Sequence, residues 1–183
     1  MTLRRIILLL CGLSITLACR AQGDPLFGSI ALGQSPEVVA GHLQGRIKNV
    51  RKFTPDKIGF PLAENTESHW LVDSYASGAG RFSKVVFVFA DGQLVFIQAQ
   101  DGAVVQLDAR PELTFDTYED FRFYKESNLV VHTAADKVWK LDAAGLHLNL
   151  FAWNHPFLED KSWPEYSSEV GIPEFLEMGA SLD

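Results

Sequence analysis

The chain has 183 residues, with 16 Lys and Arg against 23 Asp and Glu and a formal net charge of −7. Its 47% hydrophobic and 21% charged residues are the balance of a globular domain of ordinary size, which excludes an intrinsically disordered chain. The acidic excess argues against a surface for nucleic acid or anionic lipid headgroups, and suits either a basic protein partner or solubility alone.

In chain order, residues 1–21 read as a secretory signal peptide. Arg4 and Arg5 form a basic n-region, Ile6 to Ala18 an apolar h-region, and small residues follow. The apolar run is shorter than the roughly 20 residues needed to span a bilayer. Two processing routes stay open. Cleavage after Ala21 starts the mature chain at Gln22; alternatively Thr16-Leu17-Ala18-Cys19 acts as a lipobox and leaves Cys19 as a lipidated N-terminus, although Thr then Leu departs from the usual Leu then small residue. Cys11 and Cys19 are the only cysteines, so a chain starting at Gln22 has no thiol for a disulfide, a metal or a nucleophile. That chain has 13 basic and 23 acidic side chains, a formal charge of −10.

Residues 22–183 are expected to form one α+β domain, an antiparallel sheet of hairpins and a meander with one to three short helices packed on one face. Phe27 to Leu32 reads as a brief strand. Ser35-Pro36-Glu37 places an N-cap hydroxyl, a proline at the first helical position and an acid in the first turn, and Gly45 stands where a C-capping glycine would. Val38, Val39, His42 and Leu43 then share one side of a short helix, His42 capping its apolar face. Arg46 to Lys52 is basic and partly alternating, either an edge strand whose charges discourage foreign pairing or a contact surface for an acidic partner. Pro55 to Ser68 reads as a long loop, and loops of that length are more often functional or mobile than silent.

His69 to Ser77 resumes as a strand, and Gly78-Ala79-Gly80 turns the chain. The clearest signal follows, in Lys84 to Gln100. Two alternating apolar runs flank Asp91-Gly92, a pair suited to a two-residue type I′ turn that needs positive φ at both positions. Val85, Phe87 and Phe89 point to one face and Val86 and Val88 to the other, so both faces are apolar and the hairpin is expected at the centre of the sheet. Asp101 to Asp116, broken by Pro111, has no clear assignment. Phe121–Tyr124, Leu129–Thr133, Val138–Leu141 and Leu146–Trp153 read as a meander across residues 118–153; Asp116 and Glu119 also offer a helical capping box, but the strand reading is preferred. Residues 154–183 read as an irregular tail with a short helix from Pro173 to Met178.

Phe27-Gly28, Leu32-Gly33-Gln34-Ser35-Pro36-Glu37-Val38-Val39 with Gly45, and Phe89-Ala90-Asp91-Gly92-Gln93-Leu94 together resemble the SmpA/OmlA (BamE-like) domain, itself similar in fold to the β-lactamase inhibitor protein. The resemblance covers residues 27–100. It implies small helices on one face of an antiparallel sheet, in a bacterial envelope protein that binds other proteins.

For chemistry, the candidates are His69, His132, His147 and His155. If Leu129–Thr133 and Leu146–Trp153 are neighbouring strands, His132 and His147 share a face, and Asn149 points with His147. No HExxH, GxSxG, P-loop or GxGxxG pattern occurs, and Gly78-Ala79-Gly80 lacks the lysine and helix of a phosphate loop. No catalytic residue, metal ligand or cofactor is assigned. The C-terminal third is rich in aromatic residues, and His147, Asn149, Phe151 and Trp153 on one strand face, with Trp139 nearby, form a candidate binding surface, opposite a leucine face.

These readings point to an exported bacterial envelope protein, periplasmic or anchored to the outer membrane through Cys19, with a non-catalytic protein-binding or adaptor role. Its expected partner is another envelope or periplasmic protein, a basic one where the acidic surface steers it, with no nucleic acid and no membrane contact beyond a lipid anchor. The alternatives are a periplasmic immunity or inhibitor protein that neutralises a basic toxin, a hydrolase or metal enzyme using His132 and His147, and a small-ligand carrier with the aromatic face as its pocket.

Overall fold

A computed structural model describes residues 24–78, 80–141, 154–159 and 169–170. The signal segment with Cys19, the expected strand Leu146–Trp153 and the expected helix Pro173–Met178 lie outside the described residues.

The chain forms helix α1 (Pro36–Leu43), strands β1 (Ile47–Phe53), β2 (Glu67–Ser77), β3 (Gly80–Phe82), β4 (Lys84–Ala90) and β5 (Gln93–Gln100), helix α2 (Ala103–Asp108), and strands β6 (Asp116–Tyr118), β7 (Phe121–Tyr124), β8 (Leu129–His132) and β9 (Lys137–Leu141). A 3₁₀ turn at Pro156–Glu159 and the two-residue strand β10 (Glu169–Val170) follow. The described strands join one antiparallel sheet in the order β10-β1-β2-β4-β5-β9-β8-β7-β6, with β3 paired to β2. The architecture is an antiparallel sheet with two short helices.

The β4–β5 hairpin lies at the middle of that order. Ala90 pairs with Gln93 across a two-residue turn in which Asp91 has φ 49 and Gly92 φ 77, the positive pair that a type I′ turn requires. Val88 pairs with Phe96 but Phe89 with Leu94, so Val95 is an extra residue that bulges the strand. Because side chains alternate, Val85, Phe87 and Phe89 enter one core and Val86 and Val88 another. The first core lies under the helices: Val39, Ala40 and Leu43 of α1, and Ala103 and Leu107 of α2, pack there with Trp70, Val72 and Ile97. The second core holds Phe53, Leu71, Val86, Val88, Phe96, Trp139 and Leu141, and is closed by Phe60 from residues 54–66 and by Phe157 and Leu158 from the 3₁₀ turn. This outer face carries the site described below.

Several expectations are corrected. Phe27 to Leu32 forms turns instead of a strand: the Asp24 carboxylate accepts the Leu26 and Phe27 amides at 2.9 and 2.7 Å, and Gly28 has φ 64, so the segment curls and buries Leu26, Phe27 and Ile30 individually. In α1 the buried side is Val39, Ala40 and Leu43, while Val38 is 39% exposed, because three- and four-residue spacing selects a different stripe from the one expected. The unassigned stretch 101–116 contains α2, whose first amides are capped from a distance: Gly102 and Val104 donate to the Asp136 carboxylate at 2.6 and 2.9 Å. The basic strand β1 is next to last in the sheet, since the backbone of β10 pairs with its Lys52 and Phe53.

Candidate functional site

Glu67, His69 and Leu71 are two apart on β2, so all three point to the outer face. His69 sits opposite Phe53 of β1 and Val88 of β4, with the Phe53 ring edge-on at 5.6 Å. His155 reaches the same place from the turn that closes this face. Its backbone N–H donates to Gln98 Oε1 of β5 at 2.9 Å, and Gln98 Nε2 donates to Asn154 Oδ1 at 2.9 Å.

These side chains form one buried hydrogen-bonded chain. His69 Nε2 lies 2.6 Å from Glu67 Oε1, and His69 Nδ1 lies 2.9 Å from His155 Nε2. The far end assigns the protons. The Phe157 N–H donates to His155 Nδ1 at 3.1 Å, so that nitrogen is an acceptor and the neutral His155 ring carries its proton on Nε2. His155 Nε2–H then donates to His69 Nδ1, which leaves His69 Nε2–H to donate to Glu67. Glu67 Oε2 accepts the Gly59 and Phe60 amides at 2.7 and 3.0 Å. Each ring nitrogen thus has a partner inside the protein.

Burial of these groups is nearly complete: Glu67 is 6%, His69 1% and His155 0% exposed. Desolvation is the largest influence on Glu67 and pushes its carboxyl up, but the bonds from His69, Phe60 and Gly59 together hold it below the usual carboxylate range. Desolvation, with the electrostatic influence of His69 second, pulls His155 down to about 2. At neutral pH the chain therefore contains an ionised Glu67 and a neutral His155. A carboxylate orienting an imidazole is a geometry that general-base catalysis uses, but these rings are occupied and sealed, so the arrangement acts as a tie between the loop, the sheet and the tail.

The loop is the second feature. Residues 54–66 contain no helix or strand, yet two carboxylates stitch them to the sheet. Glu67 holds Gly59 and Phe60 as described. Asp91, in the hairpin turn, accepts the amides of Glu64 at 2.8 Å, Asn65 at 2.8 Å and Thr66 at 2.9 Å, and its own amide donates to the Thr66 carbonyl. The Glu64, Thr66 and Asn65 amides hold the Asp91 carboxyl below its usual range. Phe60 turns inward against Phe96, ring centroids 5.4 Å apart, while Ile58 and Leu62 remain 42% and 37% exposed.

Of the residues expected at a site, Trp139 is buried in the outer core at 2% exposure, 6.4 Å from the Phe121 ring. His147, Asn149, Phe151, Trp153 and Cys19 lie outside the described residues. His132 is half-buried on β8; its Nδ1 accepts the Ala135 amide and its ring meets Phe121 edge-on at 4.7 Å. Sequence reasoning named His69 and His155 but missed their convergence, and missed Glu67, Gln98 and Asp91. The available signal was Glu67-Ser68-His69, two ionisable groups on the same strand face as Leu71. Among the described residues no group of three His, Cys, Asp or Glu side chains is arranged to hold a metal ion, and no helix is long and apolar enough to cross a membrane. No family model, curated protein or solved structure matches the chain.

Proposed function

We propose that this protein is an exported, non-catalytic binding adaptor of the bacterial envelope whose contact surface is the stitched loop 54–66. The observation that carries this reading is that five backbone amides of the loop are fixed by Glu67 and Asp91 while Ile58 and Leu62 face solvent. A long loop left free would lose much of its affinity to ordering on binding. One that is already ordered keeps that free energy for the interface. The signal-like leader and the −10 charge of a chain starting at Gln22 support export and a basic partner. An inhibitor that presents the same rigid loop to a basic target is the closest alternative.

The test uses the full chain expressed in a bacterial host with a photo-crosslinking residue at position 58 or 62, and at exposed Val105 as control. Adducts with a single basic protein at 58 and 62, absent at 105 and reduced by an Ile58→Ser/Leu62→Ser variant of unchanged thermal stability, are the expected result. Equal labelling at all three positions, or none, rejects the loop as the contact surface.

A further inference from the structure

We infer that His155 is the catch of an acid-released latch: one proton added to the Glu67–His69–His155 chain detaches residues 154–159 from the outer face of the sheet. The latch is independent of the identity of the loop's partner, because it concerns how the protein covers its own second core.

Among the described residues, five N–H groups point into the chain: the amides of Gly59, Phe60 and Phe157, and one ring proton on each histidine. The acceptors are the two Glu67 oxygens and one nitrogen on each ring. Two ring protons fill this arrangement. A third ring proton on His155 Nδ1 meets the Phe157 N–H. Placed on His69 Nδ1 it meets His155 Nε2–H, and relief by moving the His155 proton to Nδ1 recreates the same clash at Phe157. A proton on Glu67 ends there too, once both histidines shift tautomer. The conflict at Phe157 lies within residues 154–159 and opens their turn, whereas the one between His69 Nδ1 and His155 Nε2 breaks the side-chain bond that ties those residues to β2. Moving them off the sheet relieves the second and lets a protonated His155, 0% exposed when docked, reach water.

Among the described residues, the cations set against the turn of His155 act in the same direction, and the carboxylate of Glu67 is separated from His155 by the His69 ring. From β2 come Glu67, already saturated by three donors, and His69. From β4, Lys84 Nζ donates to the Phe157 carbonyl at 3.0 Å and sits 5.2 Å from its ring centroid. From β1, Arg51 lies 5.0 Å over the Phe157 ring and 3.6 Å from Asp73. From β5, Gln98 is uncharged, as is Asn154 beside His155. The loop contributes the Gly59 and Phe60 amides, bound to Glu67. Among the described residues, Lys84 and Arg51 are the cations set against Phe157, and their charge disfavours an imidazolium two residues away at His155.

Docking and protonation are linked. The docked histidine is held neutral well below its ordinary value of 6.5, whereas a released one titrates near 6.5, so docking is at full strength above that pH and weakens as pH falls below it. The loss is about tenfold per unit, hence about 100-fold at pH about 4.5. Release removes Phe157 and Leu158 from the second core and opens it to solvent.

The test is amide hydrogen exchange of the exported chain at about pH 7.5 and about pH 4.5, normalised for intrinsic exchange. The Phe157 and Leu158 amides, bound to His155 Nδ1 and the His155 carbonyl, are expected to lose about 100-fold of their protection, while β4 and β5 amides keep theirs. His155→Asn retains an acceptor for Phe157 but cannot titrate, so its tail protection should be independent of pH. If that variant fails to dock at all, ¹⁵N signals of wild-type His155 decide: imidazolium must appear together with the loss of protection. Full protection of Phe157 at the lower pH, or the same loss in His155→Asn, overturns the latch.

Discussion

Replacing Glu67 by Gln tests the proton assignment of the buried chain, because the two side chains have one shape and opposite hydrogen-bonding demands. Glu67 now accepts from three donors, two on Oε2 and one on Oε1. The best placement of the substituted amide keeps its oxygen on the Gly59 and Phe60 N–H groups and turns its NH₂ toward His69 Nε2. Two donors then face each other. His69 escapes by carrying its proton on Nδ1, which forces the same change in His155, and the conflict reappears where His155 Nδ1–H meets the Phe157 N–H. One buried bond is lost in every arrangement, and the bond removed at Glu67 was to a charged group. The expected cost is about 2 kcal/mol, since unmaking a buried hydrogen bond costs roughly 1–3 kcal/mol. Urea unfolding monitored by Trp fluorescence measures the loss, and long-range ¹⁵N–¹H correlation of the imidazoles reads the tautomers. In the wild type both rings should show a protonated Nε2, and in Glu67→Gln both should show a protonated Nδ1. A stability change below about 0.5 kcal/mol, within the range of an ordinary surface substitution, or a protonated Nδ1 on His155 in the wild type, would refute the reasoning.

Away from the buried chain, Lys140 Nζ pairs with Asp24 Oδ2 at 2.5 Å and donates to the Ser127 carbonyl at 2.7 Å, with both charged side chains under 10% exposed. Lys140→Met should cost about 3 kcal/mol by stranding the carboxylate, and Asp24→Asn added to it should recover most of that in denaturant unfolding. Gly102 has φ 120, and a Cβ there would lie 2.5 Å from the Arg81 carbonyl oxygen, so Gly102→Ala should cost about 2 kcal/mol or more. A shift in midpoint no larger than that of a surface Ala substitution would contradict this. Asp91→Asn tolerates the turn's left-handed backbone and leaves Oδ1 for Asn65 and Thr66, but turns an NH₂ toward the Glu64 amide. Faster exchange confined to Glu64 is the expected signature, and unchanged exchange there would show that Asp91 does not hold the loop.

The parts of the fold that were legible in the sequence are those that local chemistry specifies. Asp91-Gly92 between alternating apolar runs was sufficient for the hairpin, and apolar residues at both parities of Val85–Phe89 placed it centrally, since a strand with one wet face alternates. Pro36 and Glu37 marked the start of α1. The short apolar stretch Phe27 to Leu32 reads as a strand because nothing in it reveals that Asp24 takes its first amides. In α2 the cap is Asp136, which lies 34 residues from Gly102 in sequence. The site was hidden for the same reason. His69 and His155 are 86 residues apart, and periodicity shows which face a residue occupies without showing what lies across from it. From sequence Asp91 reads as a turn residue alone, although Asp and Asn suit that turn alike and only Asp offers two oxygens to the loop.

The loop and the tail hang from the same three side chains, and this couples them. Gly59 and Phe60 rest on one oxygen of Glu67, while His69 and through it His155 rest on the other. A proton that enters at Glu67 both unseats His155 and changes what Glu67 must accept, so on that route the loop's support changes when the tail leaves. Conversely, a partner that grips Ile58 and Leu62 in their present positions favours the arrangement in which Glu67 is a carboxylate with three donors. Linkage requires the two effects to be equal: the factor by which tail release weakens the partner is the factor by which the partner disfavours tail release. Partner affinity measured across the pH range therefore has a defined form. It should be flat above about pH 6.5 and fall below it in wild type, and be flat throughout in His155→Asn. A fall that persists in His155→Asn would place the pH sensitivity in the partner or in the surface acids, and would separate the loop from the latch.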